Sequence, residues 1–136
     1  MFLALAVGLP IILMNMLLQS LATMWCLRFY NKRMHERNSM IAGVFGLFGI
    51  TTIVMIGNLL QTVTWGCLFF VLGEFDTLHQ AIYHSGVNFA TLGYGDIVMS
   101  DKWKLLGPIE AMNGAMMIGL SGASMLAVLQ QYIQKK

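Results

Sequence analysis

Hydrophobic residues dominate three long stretches of the chain, and none of these stretches contains a charged residue. The charge-free runs cover residues 1–27, 38–73 and 111–134. A helix needs roughly 20 apolar residues to cross the hydrocarbon core of a bilayer, at about 1.5 Å of rise per residue. The pattern therefore predicts three membrane-spanning helices, over about residues 2–26, 40–72 and 105–133.

A shorter apolar segment lies between the second and third predicted spans. Residues 77–90 are moderately apolar but too few to cross a bilayer, which is typical of a re-entrant or interfacial helix. Asp76, immediately before this segment, is expected to be its N-cap. The connection between the second and third spans is thus predicted to contain a short helix that is either re-entrant or interfacial.

Composition supports a membrane protein and argues against an enzyme. The chain is 57% hydrophobic and 10% charged, whereas soluble domains carry about 25% charged residues. No Ser-His-Asp or Cys-His arrangement is credible, and the histidines lack metal-ligand spacing. We expect no enzymatic activity, and the few basic residues argue against nucleic-acid binding.

The distribution of charge predicts an orientation. Basic residues are concentrated in a predicted loop over residues 28–39 and at the C-terminus: Arg28, Lys32, Arg33, Arg37, Lys135 and Lys136. The positive-inside rule places both segments in the cytoplasm and the N-terminus outside. We therefore expect a multi-pass protein of the cell membrane, favouring a prokaryotic inner membrane. Membrane lipids are its expected surroundings, and the basic loop is placed to contact anionic head groups.

Six consecutive residues after the short helix carry the candidate chemistry. Thr91, Leu92, Gly93, Tyr94, Gly95 and Asp96 follow it directly. This hexapeptide resembles the selectivity filter of the potassium-channel pore-loop family, Thr-x-Gly-Tyr-Gly-Asp. Its place after a short helix and between two spans also fits that family. The resemblance covers roughly residues 45–133, and the first span is additional to the two-span pattern.

The resemblance implies a domain organisation and a fold class. Residues 1–27 form an extra N-terminal transmembrane helix, residues 28–39 a basic cytoplasmic loop, and residues 40–136 an ion-channel pore domain. Within this domain the outer helix is expected over 40–72, the pore helix and filter over 76–96, and the inner helix over 105–133. The expected protein is all-α, with three transmembrane helices and a re-entrant pore helix, and assembles with three further copies of itself into a homotetramer.

The same resemblance implies roles for the hexapeptide. Permeant K⁺ is bound by the backbone carbonyls of Thr91, Leu92, Gly93 and Tyr94, and also by the Thr91 hydroxyl. Gly95 and Asp96 form the outer mouth. The Tyr94 side chain points away from the ion and braces the filter against pore helices.

Other residues are candidates for filter support and gating. Val87 stands where many bacterial members have a glutamate behind the filter. Glu110 lies in the outer third of the third span, where an acid is a functional candidate. It is interpreted either as a support of the filter through His84 or Ser85, or as a near-interface carboxylate reached by water or by Lys104. Gly114 and Gly119 are each interpreted either as a gating hinge or as close helix packing, and Leu126 as a hydrophobic gate.

Polar residues also occur within the first two spans. Asn15 and Gln19 share one helix face, as do Asn58, Gln61 and Thr62 on the second span. We expect hydrogen bonds between the two sets to dock the first span on the pore unit, and the alternative is that one set faces a neighbouring subunit.

Two other functions remain open from the sequence. One is a subunit of a potassium-uptake transporter, although such chains are expected to carry four degenerate pore loops. The other is a non-conducting assembly protein with a pore-like fold, which the departures at Val87 and Ala90 leave open. The spans contain no repeated arginines of a voltage sensor, so the gating stimulus is open and control by a separate regulatory protein is one of the alternatives.

Overall fold

Four helices make up the part of the chain that the computed structural model describes, residues 2–34 and 40–133. In chain order they are α1 (Phe2–Met34), α2 (Met40–Val71), α3 (Leu78–Phe89) and α4 (Leu106–Ile133). Three contain segments long and apolar enough to span a membrane, over Phe2–Arg28, Gly43–Val71 and Leu106–Gln130. The predicted all-α class with three apolar spans is confirmed for these residues.

Two helix boundaries have clear physical causes. α1 continues through Met34, into the stretch predicted as a loop over 28–39. The apolar run ends at residue 27, but residues 28–34 contain no glycine or proline, so nothing there interrupts the helix. Residues 35–39 lie outside the described part. α4 begins at Leu106 with Pro108 in its first turn, where a missing backbone N–H has no cost.

The α2–α4 pair lies at the centre of the packing. α1 and α3 each contact both of these helices. A first apolar cluster surrounds Trp65, Phe69, Phe89 and Leu106, and a second joins Cys26, Ile50, Val54 and Val128. The clusters occupy the two ends of the bundle, and polar side chains occupy the level between them.

These polar side chains form a seam that joins three helices. Gln61 Nε2 donates to Gln19 Oε1 at 2.9 Å, and Gln19 Nε2 donates to Ser121 Oγ at 3.0 Å. Asn15 Nδ2 donates to Asn113 Oδ1 at 2.9 Å. The seam therefore connects α1 to both α2 and α4.

The sequence expectation for this seam is right for one pair and wrong for the others. Gln19 does bond to Gln61, as expected. Asn15 instead bonds to α4, Asn58 bonds to Ser121 of α4 at 3.2 Å, and the Thr62 hydroxyl bonds within its own helix. These bonds differ from the expectation because Asn113 and Ser121 of α4 face α1 and α2 and lie within hydrogen-bond distance of Asn15 and Asn58.

We expect the double variant Asn15→Leu/Gln19→Leu to lose thermal stability in detergent. Three interhelical hydrogen bonds disappear, which at roughly 0.6 kcal/mol each amounts to about 2 kcal/mol. Ser20→Leu is the matched control, because the Ser20 hydroxyl bonds only to Met16 of its own helix on an exposed face. Equal melting temperatures for the double variant and this control would refute the docking role.

Candidate functional site

α3 begins at a threonine cap. The Thr77 hydroxyl accepts a hydrogen bond from the amide of Gln80 at 3.2 Å, and the Thr77 backbone is extended. The prediction of Asp76 as the N-cap is therefore wrong by one residue. Both residue types can cap a helix, and the local sequence does not distinguish between them.

A glycine on α2 sets how closely α3 approaches. A Cβ placed on Gly66 would lie 2.8 Å from the Cα of Ile82. Because real Cβ atoms do not come this close to backbone, only glycine fits here. α3 is thus held backbone to backbone against α2.

The last turn of α3 anchors the segment that follows it. The amide of Thr91 donates to the carbonyl of Asn88 at 2.8 Å, and the amide of Leu92 donates to the carbonyl of Val87 at 2.9 Å. The amide of Gly93 lies 3.4 Å from the same Val87 carbonyl. The backbone of Val87 therefore positions the segment, a role that its side-chain type did not indicate.

Backbone conformation alternates along residues 91–96. Thr91, Gly93 and Gly95 have positive φ values of 59°, 60° and 71°. Glycine adopts such values without penalty, but a β-branched threonine is strained there. Strained backbone of this kind is concentrated at functional sites.

The carbonyl groups of this segment are free. No carbonyl oxygen of residues 91–96 accepts a hydrogen bond from the part of the chain that the structure describes. All six residues are also exposed. Backbone carbonyls in a membrane protein need a partner, so this segment must face water, ions or another chain.

Two contacts hold the outer end of the segment. The Tyr83 hydroxyl donates to Asp96 Oδ2 at 2.7 Å, and this hydrogen bond raises the pKa of Tyr83 above its ordinary value. The neighbouring His84 bonds through Nδ1 to the carbonyl of Ile97 at 2.9 Å. α3 therefore braces the segment at its end as well as at its beginning.

A carboxylate clamp lies farther along the same connection. Both oxygens of Glu74 accept from Ser100, one from the backbone amide at 2.6 Å and one from the hydroxyl at 2.7 Å. The clamp ties the end of α2 to the connection that leads into α4. Sequence analysis did not identify it, because the two residues are 26 positions apart and neither belongs to a motif.

Glu110 lies behind α3 and is completely buried. Its Oε1 is hydrogen-bonded to the Ser85 hydroxyl, which also lies 2.7 Å from the carbonyl of Thr62. A serine hydroxyl carries one hydrogen, so both contacts are hydrogen bonds only when the carboxyl group donates to Ser85. Of the two partners expected for Glu110, the structure shows Ser85.

We expect Ser85→Ala to destabilise the protein by about 1–3 kcal/mol, because it leaves a buried carboxyl without its hydroxyl partner. Adding Glu110→Leu to this variant removes the unpaired group and is expected to recover part of the loss. Thermal unfolding of wild type, both single variants and the double variant in detergent gives the coupling directly. Additive losses would show that Glu110 does not support α3 through Ser85.

The three residues proposed for gating occupy different environments. A Cβ on Gly114 would overlap the carbonyl oxygen of Phe89, so this glycine is required for the contact between α4 and the end of α3. A Cβ on Gly119 meets no described atom within 4 Å. Leu126 is 54% exposed. Close packing explains Gly114, while the roles of Gly119 and Leu126 remain predictions.

No metal-binding cluster was expected from the histidines. Within residues 2–34 and 40–133, no group of three or more His, Cys, Asp or Glu side chains could hold a metal ion.

Comparison with known families gives one match. A family model described as "Ion channel" matches residues 58–131, which cover the C-terminal part of α2, all of α3, the segment 91–96 and most of α4. No curated protein and no solved structure matches the chain. α1 lies outside the matched region.

Proposed function

The chain belongs to the ion channel family, of the two-span pore type, and from this premise we propose that it is a potassium-selective channel that conducts K⁺ passively through a homotetrameric pore. Residues 91–96 are its selectivity filter in this proposal. α2, α3 and α4 are the outer helix, pore helix and inner helix. Conduction needs no covalent chemistry.

The free carbonyls of residues 91–96 carry the proposal. A K⁺ ion that leaves water needs oxygen ligands in place of its hydration shell. These carbonyls have no partner in the described chain, and they follow a helix whose C-terminal end places a partial negative charge nearby. Alternating positive φ at residues 91, 93 and 95 gives the backbone a regular repeat suited to ordered oxygens.

The ligands of the ion follow from this arrangement. The carbonyls of Thr91, Leu92, Gly93 and Tyr94, together with the Thr91 hydroxyl, would hold K⁺ in successive rings. Tyr83 would fix one end of the segment through its contact with Asp96, and Val87 would fix the other end through its contacts with the amides of residues 92 and 93. α3 thus supports the segment and leaves its carbonyl oxygens free of hydrogen bonds.

Four copies of the chain are needed to complete the site. One chain supplies one row of carbonyl oxygens, whereas an ion on the pore axis needs oxygen ligands on all sides. Leu92 is 54% and Tyr94 65% exposed, although both belong to the segment with free carbonyls. A neighbouring copy would cover these side chains and close the ring, with Tyr94 packing against its pore helix.

The outer mouth is predicted to attract cations. Glu74, Asp76, Asp96 and Asp101 lie on the connections between α2 and α4, together with Lys102 and Lys104. This excess of acids would raise the local cation concentration at the pore entrance, and fourfold repetition would strengthen the effect. We place this side outside the cell membrane, and the basic end of α1 and the C-terminus in the cytoplasm.

The inner helix supplies the proposed gate. Ile118, Gly119 and Leu126 are exposed on α4, on faces that the chain itself does not cover. In a tetramer Leu126 would narrow the inner pore, and Gly119 is the hinge candidate that has space to bend. Gly114 packs against the backbone of Phe89 and leaves no room for a side chain.

Ion flux from liposomes tests the function. Purified protein is reconstituted, and efflux down a gradient is compared for K⁺ and Na⁺, with Ba²⁺ added as a blocker. We expect passive, K⁺-selective flux that Ba²⁺ inhibits, together with a tetrameric mass in detergent. Coupled or non-selective transport would contradict the proposal, and a tetramer without flux would identify a non-conducting assembly protein.

A further inference from the structure

The imidazole of His84 has both ring nitrogens in hydrogen bonds and is only 7% exposed. Nδ1 lies 2.9 Å from the carbonyl of Ile97, and Nε2 lies 2.8 Å from Nδ2 of Asn88. The rings of Phe69 and Phe75 lie beside it, with centroids at 5.7 and 4.9 Å. A buried histidine thus connects the pore helix to the residue that directly follows the hexapeptide.

The partners of His84 determine its tautomer. A carbonyl only accepts hydrogen bonds, so Nδ1 carries the hydrogen that bonds to Ile97. The amide nitrogen of Asn88 faces Nε2. This nitrogen only donates, so Nε2 carries no hydrogen and accepts. With Asn88 in this orientation, both nitrogens of the neutral ring are paired, and a second hydrogen on Nε2 would face an amide nitrogen that does not accept it.

Several charged groups surround this ring. Glu74 follows α2, Asp96 belongs to the hexapeptide, and Asp101 and Lys104 line the cavity that His84 and Asn88 share. From α4, Glu110 lies near Asn88. Burial lowers the pKa of His84 below its ordinary value, and the bond to Ile97 and the charges of Asp96 and Glu74 oppose this shift.

We propose that His84 is a proton-sensitive switch for the filter. Neutral His84 holds the outer end of the filter through Ile97, and protonation places a second N–H against the amide nitrogen of Asn88. While Asn88 keeps this orientation, the ring must move to give the second N–H an acceptor, and the hold on Ile97 loosens. This rests on the proposed function, because it assigns a regulator to the same filter, and it predicts that acid suppresses K⁺ flux.

The sign of the pH effect follows from the direction of the shift. While His84 holds Ile97, burial keeps the pKa of the ring below its ordinary value. Once the ring has moved into water, its pKa returns to the ordinary value of about 6.5. As the pH falls below that value, the loosened arrangement gains a proton first and becomes favoured. Each unit of difference between the two pKa values changes the ratio of the arrangements by about tenfold.

The test measures K⁺ efflux from liposomes at equal internal and external pH, from pH 8 to pH 5. Each variant is normalised to its own flux at pH 8. We expect wild-type flux to fall over this range, and His84→Gln to lose the response, because a glutamine amide can both donate and accept hydrogen bonds and does not titrate. His79→Gln, on the exposed side of the same helix, should respond as wild type does.

A second variant keeps the test decisive if His84→Gln does not assemble. Asn88→Asp places a carboxylate against Nε2, which accepts from the protonated ring, so the held arrangement tolerates protonation and the fall of flux in acid should disappear. A fall of flux in acid equal to that of wild type overturns the switch. A response that persists in His84→Gln, or that disappears in Glu110→Gln while His84→Gln retains it, also overturns it.

A spectroscopic measurement separates failure of this inference from failure of the proposed function. In ¹⁵N-histidine protein at pH 8, the signal of His84, assigned by its loss in His84→Gln, should be that of the neutral Nδ1–H tautomer. An Nε2–H tautomer or a charged ring at pH 8 refutes the switch whether or not the protein conducts. Selective K⁺ flux that does not depend on pH refutes the switch and leaves the channel function standing.

Discussion

Gly114→Ala is expected to abolish K⁺ flux and to reduce the yield of assembled protein. A Cβ at this position would overlap the carbonyl oxygen of Phe89 and lie 2.8 Å from its carbonyl carbon and Cα. Backbone atoms at the end of the pore helix cannot rotate away as a side chain can. Either α4 separates from α3, or the end of α3 moves and displaces the proposed filter segment, which begins at Thr91.

The magnitude of this effect is large because each chain carries the same overlap. Overpacking of a well-packed interior costs about 1–3 kcal/mol per site, and in the proposed tetramer four copies would multiply the cost. Size-exclusion chromatography in detergent and liposome flux at equal protein density measure the two consequences separately.

Gly119→Ala is the matched control for Gly114→Ala. It makes the same chemical change on the same helix, but its Cβ meets no described atom within 4 Å. We expect normal assembly and retained K⁺ selectivity, with altered opening if Gly119 is the bending point. Loss of assembly in both variants would show that the response is a general intolerance of α4 to alanine.

Gly93→Ala is expected to cost the protein its selectivity for K⁺ over Na⁺. Gly93 has a φ of 60°, where an alanine is strained by about 1–2 kcal/mol. Relief of this strain turns the peptide groups of residues 92–94, and with them the carbonyls proposed to bind the ion. Since 1.4 kcal/mol is a tenfold change in an equilibrium constant, we expect the flux ratio to fall by about tenfold or more.

Gly73→Ala separates backbone strain from loss of the ion site. Gly73 has a similar φ of 74°, and a Cβ placed on it meets no described atom within 4 Å. The substitution therefore introduces comparable strain beyond the end of α2, outside the filter. We expect lower stability with unchanged selectivity, and an equal loss of selectivity in both variants would contradict the role given to residues 91–96.

The sequence predicted the helices well because their signal is local. Charge-free runs determine where a chain can cross a bilayer, and the three predicted spans match α1, α2 and α4 closely in position. The short apolar segment likewise corresponds to α3. The predicted end of α1 is too early, because the apolar run stops before the helix does.

Contacts distant in sequence were harder to predict. Periodicity showed that Asn15 and Gln19 share a face, but not that Asn113 and Ser121, 98 and 102 residues away, would meet them. Glu110 was identified because a carboxylate within a span is unusual, and Ser85 was one of its two expected partners. The Glu74–Ser100 clamp had no such signal, because both residue types are ordinary in an exposed connection.

The polar seam has a consequence for biosynthesis. α1 is made first, and its two amide side chains enter the bilayer before any partner exists. Gln19 gains Gln61 when α2 follows, but Asn15 waits for Asn113 on the last helix. During that interval the Asn15 amide has no hydrogen-bond partner and is exposed to hydrocarbon. This is the condition under which nascent helices pair with wrong neighbours. Timely insertion of α4 should therefore decide how much of the newly made chain matures correctly.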